Sequence, residues 1–319
     1  MRISGDFRVE DVLTIEPCTR VELDGRVFVH DGGRIEARGS ADCPVTFTSL
    51  KGSPGPGDWT YLDYEPTADN GSVFEHTIFE YGGNEHGLFA GNGEVEVAFR
   101  DVTVRHTEAL GLDLRELDIV ELSGAHFEDN PAHPFEIHGT DMGGIAEVTA
   151  LDVQEPRILV SQGGGRAILS SDDTWSPQSI PDELTGELTF AADYVMEPGV
   201  HLMAPASARY FVRDGGTLSL LGTAEDPVIL ESAGDDPLPG DWEAVNFEGS
   251  SNTGRLWSHA SSATGAGARS GWSTCTPTRC SRWSPSPSSG TRAATSTTEG
   301  PSPRRTPSMS PAHELQTVG

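Results

Sequence analysis

Lysine is all but missing from this chain of 319 residues: Lys51 stands alone, and the other basic residues are arginines, a bias expected of a GC-rich gene. Positive charge as a whole is scarce, with 21 Lys and Arg against 49 Asp and Glu and a formal charge of −28. Such a chain has no clustered cations with which to neutralise a phosphate backbone, which excludes nucleic acid as a partner. No apolar run approaches the length of a bilayer span, so no transmembrane segment is expected. The opening MRISGDFRVE lacks the basic-then-apolar order of a signal peptide. In place of these features the chain has 37 Gly and 22 Pro, the composition of a structure with many turns.

Self-similarity comes first among the positive signals. The stretch from Gly5 matches the stretch from Gly186 to Met203 at an offset of 181, with Glu16-Pro17 falling on Glu197-Pro198. The match resumes at 183, where Phe28-Val29-His30-Asp31-Gly32-Gly33 falls on Phe211-Val212-Arg213-Asp214-Gly215-Gly216 and Pro56-Gly57-Asp58-Trp59 on Pro239-Gly240-Asp241-Trp242. A shorter period runs inside the first copy. Gly87-Leu88-Phe89-Ala90, Gly111-Leu112-Asp113-Leu114 and Pro134-Phe135-Glu136-Ile137 recur at spacings of 24 and 23. A second series, beginning at His76, Asp101 and Gly124, recurs at 25 and 23. Each unit holds short runs of period-two alternation, such as Val95, Val97 and Phe99, divided by Gly, Asn, Asp or Pro.

Short strands at about two dozen residues per turn give an all-β fold, a parallel β-helix; a propeller blade needs about 40 to 50 residues. Stacked at about 4.8 Å per turn, roughly ten turns make a rod of about 45 to 50 Å. The expected inward ladder is Val27, Val29, Ile35, Val45, Phe47, Ile78, Val102, Val104, Leu112, Leu114, Phe135, Ile137, Phe211, Leu218, Leu220, Val228 and Leu230.

The composition breaks near Gly254. The stretch 255–319 carries seven Arg, two Glu and no Asp, and nearly half of it is Ser, Thr or Pro. Leu256, Leu315 and Val318 are the only Leu, Ile, Val, Phe or Tyr there. The expected organisation is therefore a first module over 1–185, a truncated second module over 186–254 continuing the same solenoid, and a disordered tail over 255–319. The tail reads as an out-of-frame translation. It begins in mid-module, and codons permitted for Ala263 to Gly267 yield Tyr-Gly-Gly-Gly when read two bases later, where the first copy has Tyr81-Gly82-Gly83.

The Ile15-Glu16-Pro17 strand, the Asp31-Gly32-Gly33 turn, Pro56 to Trp59 and Phe79-Glu80-Tyr81-Gly82-Gly83 together resemble the right-handed parallel β-helix repeat proteins of bacterial surfaces and secretions, within the pectate-lyase-like superfamily. The resemblance spans about residues 3 to 254 and implies adhesion, glycan binding or polysaccharide cleavage. It also implies export, from a native N-terminus longer than the one present, since Gly5 already aligns with the module interior at Gly186. Cys18 and Cys43 lie one short period apart and so fall on adjacent turns, and a disulfide between them would fit an exported protein; the second copy has Gly199 and Asp226 there.

No residue stands out as catalytic, cofactor-binding or metal-ligating. Asp58-Trp59 and Asp241-Trp242 suit a sugar-stacking pair but read better as a turn cap and a loop cover. Asp172-Asp173, Asp235-Asp236 and Asp141 near Glu136 are the acidic clusters a glycosidase pair or a calcium site would draw on. Polygalacturonase-like enzymes place Asp-Asp before His-Gly and end on Arg-Ile-Lys; here His86-Gly87 and His138-Gly139 precede Asp172, and Arg157-Ile158 runs into Leu159. His126, His133 and His138 match no zinc spacing. The expectation is a non-catalytic, extracytoplasmic module that binds a polysaccharide or other cell-surface component, with no cofactor beyond weak Ca²⁺ binding. A polysaccharide lyase or hydrolase is the alternative. An enzyme would gather carboxylates and a cation on one face of successive turns, and a structural module would scatter them.

Overall fold

The computed structural model describes residues 1–248 apart from 84–86, 92, 94, 163–167, 207, 235, 237 and 239, and beyond them the backbone of four short strands within 257–282. The chain is a parallel β-solenoid whose strands stack in three columns. Face 1 holds Arg2–Ile3, Arg20–Leu23, Val45–Ser49, Thr77–Glu80, Thr103–Arg105, His126–Glu128 and Thr149–Leu151. Face 2 starts with Phe7–Val9, Val27–Val29, Leu62–Tyr64 and Phe89–Gly91. The Leu88 N–H donates to the Gly111 carbonyl at 3.0 Å, carrying that face on to Leu112–Asp113, Phe135–His138 and Ile158–Ser161. Face 3 holds Val12–Ile15, Arg34–Arg38, Ser72–Glu75, Glu96–Arg100, Asp118–Ser123 and Ile145–Ala146.

The register reproduces the spacing read from the sequence. Phe79 pairs with Val104, Val104 with Phe127 and Leu112 with Phe135, the same steps that separate the repeated motifs. Two columns of corner residues in the left-handed backbone region fix that period. His76, Asp101, Gly124 and Glu147 turn the chain from face 3 to face 1, and Tyr81, His106, Asp129 and Asp152 turn it out of face 1. Short polar residues tolerate this conformation better than branched ones do, which is why Asp and His recur there.

Inside, the ladders are apolar. Phe47 stacks on Phe79 at 5.2 Å and Phe74 on Phe99 at 5.5 Å between ring centroids. Of the residues expected inward, Ile78 and Phe211 are not. In Thr77–Glu80 it is Phe79 that is buried, and Ile78 points outward between Thr46 and Thr103. Two adjacent apolar residues leave the phase of the alternation open, and the corner at His76 sets it. Tyr210 and Val212 are buried and Phe211 is half-buried on the outside, as is its repeat equivalent Phe28.

Cys18 and Cys43 form a disulfide between adjacent turns, with Cα atoms 4.5 Å apart. Cys18 sits at a corner with φ of 62°, and the second copy places Gly199 there at 89°.

The second copy repeats the strands but not their column. Asp182–Leu184, His201–Ala204 and Val228–Ser232, the counterparts of the first three face 1 strands, pair onward from Ile158–Ser161 of face 2, with Ile158 opposite Asp182 and Val160 opposite Leu184. The cause is one paired segment too many. After Ile158–Ser161 the chain supplies a second face 2 counterpart at Leu169, which bridges to Phe190, and then Asp173–Trp175, which pairs with Tyr194 to Met196. The interval from Thr149 to Asp182 is accordingly longer than that from His126 to Thr149 by nearly half a turn of chain. This surplus turns the whole second copy one face round the axis.

Past residue 248, Trp257–Ser258 and Ala260–Ser262 pair with Leu220–Leu221 and Val228–Leu230, at the positions to which the long repeat carries Phe74-Glu75 and Thr77 to Phe79 of the first copy. Ser273–Thr276 and Arg279–Arg282 form an antiparallel hairpin. These strands fall within the stretch expected as a disordered tail, and the rest of 255–319 lies outside the described residues.

Phe135 is fully buried, opposite Leu112 and 5.6 Å from the Phe127 ring. Phe135→Asp therefore places an unpaired carboxylate in an apolar ladder and is expected to cost roughly 4 kcal/mol or more. Chemical denaturation checks this, and an unchanged midpoint would contradict the stacking.

Candidate functional site

The outer faces carry charge in ladders, because each outward position stacks on its equivalents one turn above and below. On face 1, Arg105 reaches Glu80 at 2.8 Å and Glu128 at 2.9 Å, and the Thr48 hydroxyl donates to Glu80 at 2.8 Å. On face 3, Arg38 pairs with Glu75 at 3.3 Å and Arg100 with Glu121 at 2.7 Å. On face 2, Arg115 grips Asp113 at 2.7 Å and lies 3.5 Å from Glu136. The hydrogen bond from Arg105 holds Glu128 below its ordinary carboxylate range, and that from Arg100 does the same for Glu121. Burial pushes Glu136 up, against the pull of Arg115. All three faces thus bear carboxylates with arginines between them, and the ladders offset the repulsion of stacked like charges.

Asp141 and Asp173 are brought together, the Asp141 charge adding to the burial that pushes the Asp173 carboxyl up, and the other pairs singled out in the sequence are dispersed. Trp59 and Trp242 are buried to within 1% and have no ring face for a sugar. Asp58 closes its turn, accepting from the Gly55 N–H at 2.8 Å and the Ser49 hydroxyl at 2.6 Å; Asp241 accepts from the Leu238 N–H at 2.7 Å. Asp173 accepts from the Gly143 N–H at 2.9 Å, and Asp172 from the Asp193 N–H at 2.9 Å. Asp141 accepts from the Ile119 N–H at 3.3 Å, whereas Glu136 faces out beside Arg115. Asp236 is exposed, and Asp235 and His86 lie outside the described residues.

The histidines also go separate ways. His126 is 2.8 Å from the Thr149 hydroxyl on face 1, His133 is 2.9 Å from Glu155, and His138 is buried 2.8 Å from the Thr140 hydroxyl. Arg157 pairs with Glu183 at 2.8 Å. Among the described residues, no three His, Cys, Asp or Glu come close enough to hold a metal ion.

One constellation escaped the sequence reading. On the outside of face 2 the Arg26 guanidinium lies over two rings, 5.0 Å from the Phe28 centroid and 4.6 Å from that of Tyr61, and pairs with Asp63 at 3.3 Å. Phe28 sits between Arg8 one turn below and Asp63 one turn above. Burial raises both the Asp63 carboxyl and the Tyr61 hydroxyl, with Arg26 opposing each. Two half-buried rings, a guanidinium and a carboxylate supply apolar area, donors and acceptors within one patch. The repeat held the signal, since Arg26-Val27-Phe28 and Arg209-Tyr210-Phe211 share the outward pair.

No family model matches the chain, and no curated protein or solved structure matches it. Among the described residues no helix is long and apolar enough to cross a membrane.

A second residue missed from sequence is Asp182. It is 2% exposed, it stands between Ile158 and Leu202, and its Oδ1 lacks a hydrogen-bond partner among the described residues. Burial alone pushes its carboxyl well above the ordinary range. A carboxyl whose folded pKa exceeds its unfolded value, about 3.9, favours the folded state only while protonated. Its contribution is complete below pH of about 4 and is lost as pH rises through the folded pKa. Asp182→Leu is therefore expected to stabilise the fold by about 1 to 3 kcal/mol at neutral pH. The gain should be larger at pH 8 than at pH 4 in denaturant titrations, and a loss at both would show that the carboxyl has a structural partner.

Proposed function

We propose that this chain is a non-catalytic, extracytoplasmic β-helix module of the bacterial surface and secreted type, within the pectate-lyase-like superfamily, and that it binds a polysaccharide at the Arg26, Phe28, Tyr61 and Asp63 patch. The observation that carries this reading is the pair of rings beside a guanidinium and a carboxylate on an outer face. The part of the two half-buried rings that Arg26 leaves uncovered packs on the C–H face of a pyranose, and the charged groups bond its hydroxyls. Carboxylates with an arginine between them stand on successive turns of all three faces and not of one alone, which supports paired stacking ladders over a single cleavage groove, and a disulfide suits an oxidising compartment.

Charge selects the sugar. Arg26 is already balanced by Asp63, and the chain as a whole carries −28, so a polyuronate would be repelled at low salt and a neutral glycan would not. Weak Ca²⁺ binding by the acidic surface belongs to the same reading, and no other cofactor does.

A second reading, a polysaccharide lyase or hydrolase, draws on Asp113, Arg115 and Glu136. There a carboxyl raised by burial neighbours another carboxylate, as a general acid would require.

The test is a panel of neutral and uronate hexasaccharides titrated into the full chain by calorimetry. Binding of a neutral member, weakened roughly tenfold by Tyr61→Ala, is expected. Binding untouched by both Tyr61→Ala and Arg26→Ala would contradict the assignment, and new reducing ends or unsaturated products that vanish in Glu136→Gln would favour the enzyme.

A further inference from the structure

The second copy repeats the outer patch in altered form. Phe211 points outward between Thr189 below and Asn246 above, where the first copy has Arg8, Phe28 and Asp63. Arg209, equivalent to Arg26, pairs with Glu243 at 2.5 Å, and Ala244 replaces Tyr61. Other outward positions have diverged between the copies: Glu22 corresponds to Met203, Glu36 to Ser219 and Thr48 to Glu231. An outward Arg and Phe do nothing for the core, so their retention amid such change points to a shared ligand. In each copy the arginine is balanced by a carboxylate and the ring is left partly open.

We infer that Arg209, Phe211 and Asn246 form a second and weaker neutral-glycan site, and that the protein bridges two polysaccharide chains. The inference rests on the first patch being a glycan site. The weakness follows from the loss of one ring, Tyr61 to Ala244, and of one charged acceptor, Asp63 to Asn246. Bridging follows from the rotated repeat. Strands equivalent to face 1 occupy the column of face 2, so those equivalent to face 2 stand on the next side round. The sites are also about seven turns apart, about 35 Å at the usual strand spacing. One straight glycan cannot lie on both, whereas two chains can each take one.

The probe is the neutral hexasaccharide that binds most tightly in the panel, titrated into the full chain by calorimetry, with the parent polysaccharide followed by light scattering. Two sites differing at least tenfold in affinity are expected. Phe211→Ala and, independently, Arg209→Ala should leave only the stronger site, and Tyr61→Ala should weaken only that one, with melting midpoints unchanged. Wild type should raise the scattering of the long polymer and the Phe211 variant should not. A single site in the wild type, or two sites and scattering indifferent to both second-copy variants, overturns the second site while leaving the first. Absence of hexasaccharide binding to the wild type overturns both.

Discussion

Everything in this molecule depends on one turn of chain lying on another. A strand of three to five residues has no stability alone; its N–H and C=O groups are satisfied only by the turns above and below, and its inward side chains are covered only by their own equivalents. That constraint explains the Phe47–Phe79 and Phe74–Phe99 stacks within, and equally the Arg105 bridge between Glu80 and Glu128 without. A chain this acidic would otherwise stack like charges turn upon turn. Among the described residues, arginines such as Arg38, Arg100 and Arg105 sit in those columns, which accounts for the use of a scarce residue there.

The same constraint makes the junction between copies informative. Stacking demands only that a strand lie on a strand, not that it lie on its own equivalent. The surplus bridging segment at Leu169 therefore shifts the second copy one face round without breaking the column, with Ile158 opposite Asp182 and Leu202 next in line. Asp182, the carboxyl buried there, marks where the ladder is least well matched. A copy turned in this way presents its outer side chains in a new direction, so duplication changes the geometry of binding as well as the number of sites.

Much of the fold was legible because its period is local. Leu88, Leu112 and Phe135 recur at fixed distances, and corners such as Asp101 and Asp129 recur with them. The phase of a strand was harder. Thr77-Ile78-Phe79-Glu80 has two apolar candidates, and only the corner at His76 decides between them. Phe211 reads as inward on its own strand, yet its equivalent Phe28 falls between Val27 and Val29, both expected inward, so the repeat already holds the answer. The rotation was not legible at all, since Leu169 and Ile158 each read as an ordinary strand residue and nothing local says which column receives them. Nor was the outer patch, because Arg26, Phe28, Tyr61 and Asp63 come from two turns, and a ring on the outside of an alternating strand looks like one on the inside.

The rotated stacking can be tested by cross-linking. Leu159 and Glu183 are opposite each other on the outside of the paired strands Ile158–Ser161 and Asp182–Leu184, within the span that a disulfide bridges. In an unrotated solenoid Glu183 would instead lie over the strand Thr149–Leu151, beside Leu151. Under mild oxidation the pair Leu159→Cys with Glu183→Cys is expected to close, read as a shift on a non-reducing gel and a linked peptide in mass spectrometry, and the pair Leu151→Cys with Glu183→Cys to stay open. The opposite pattern would contradict the account.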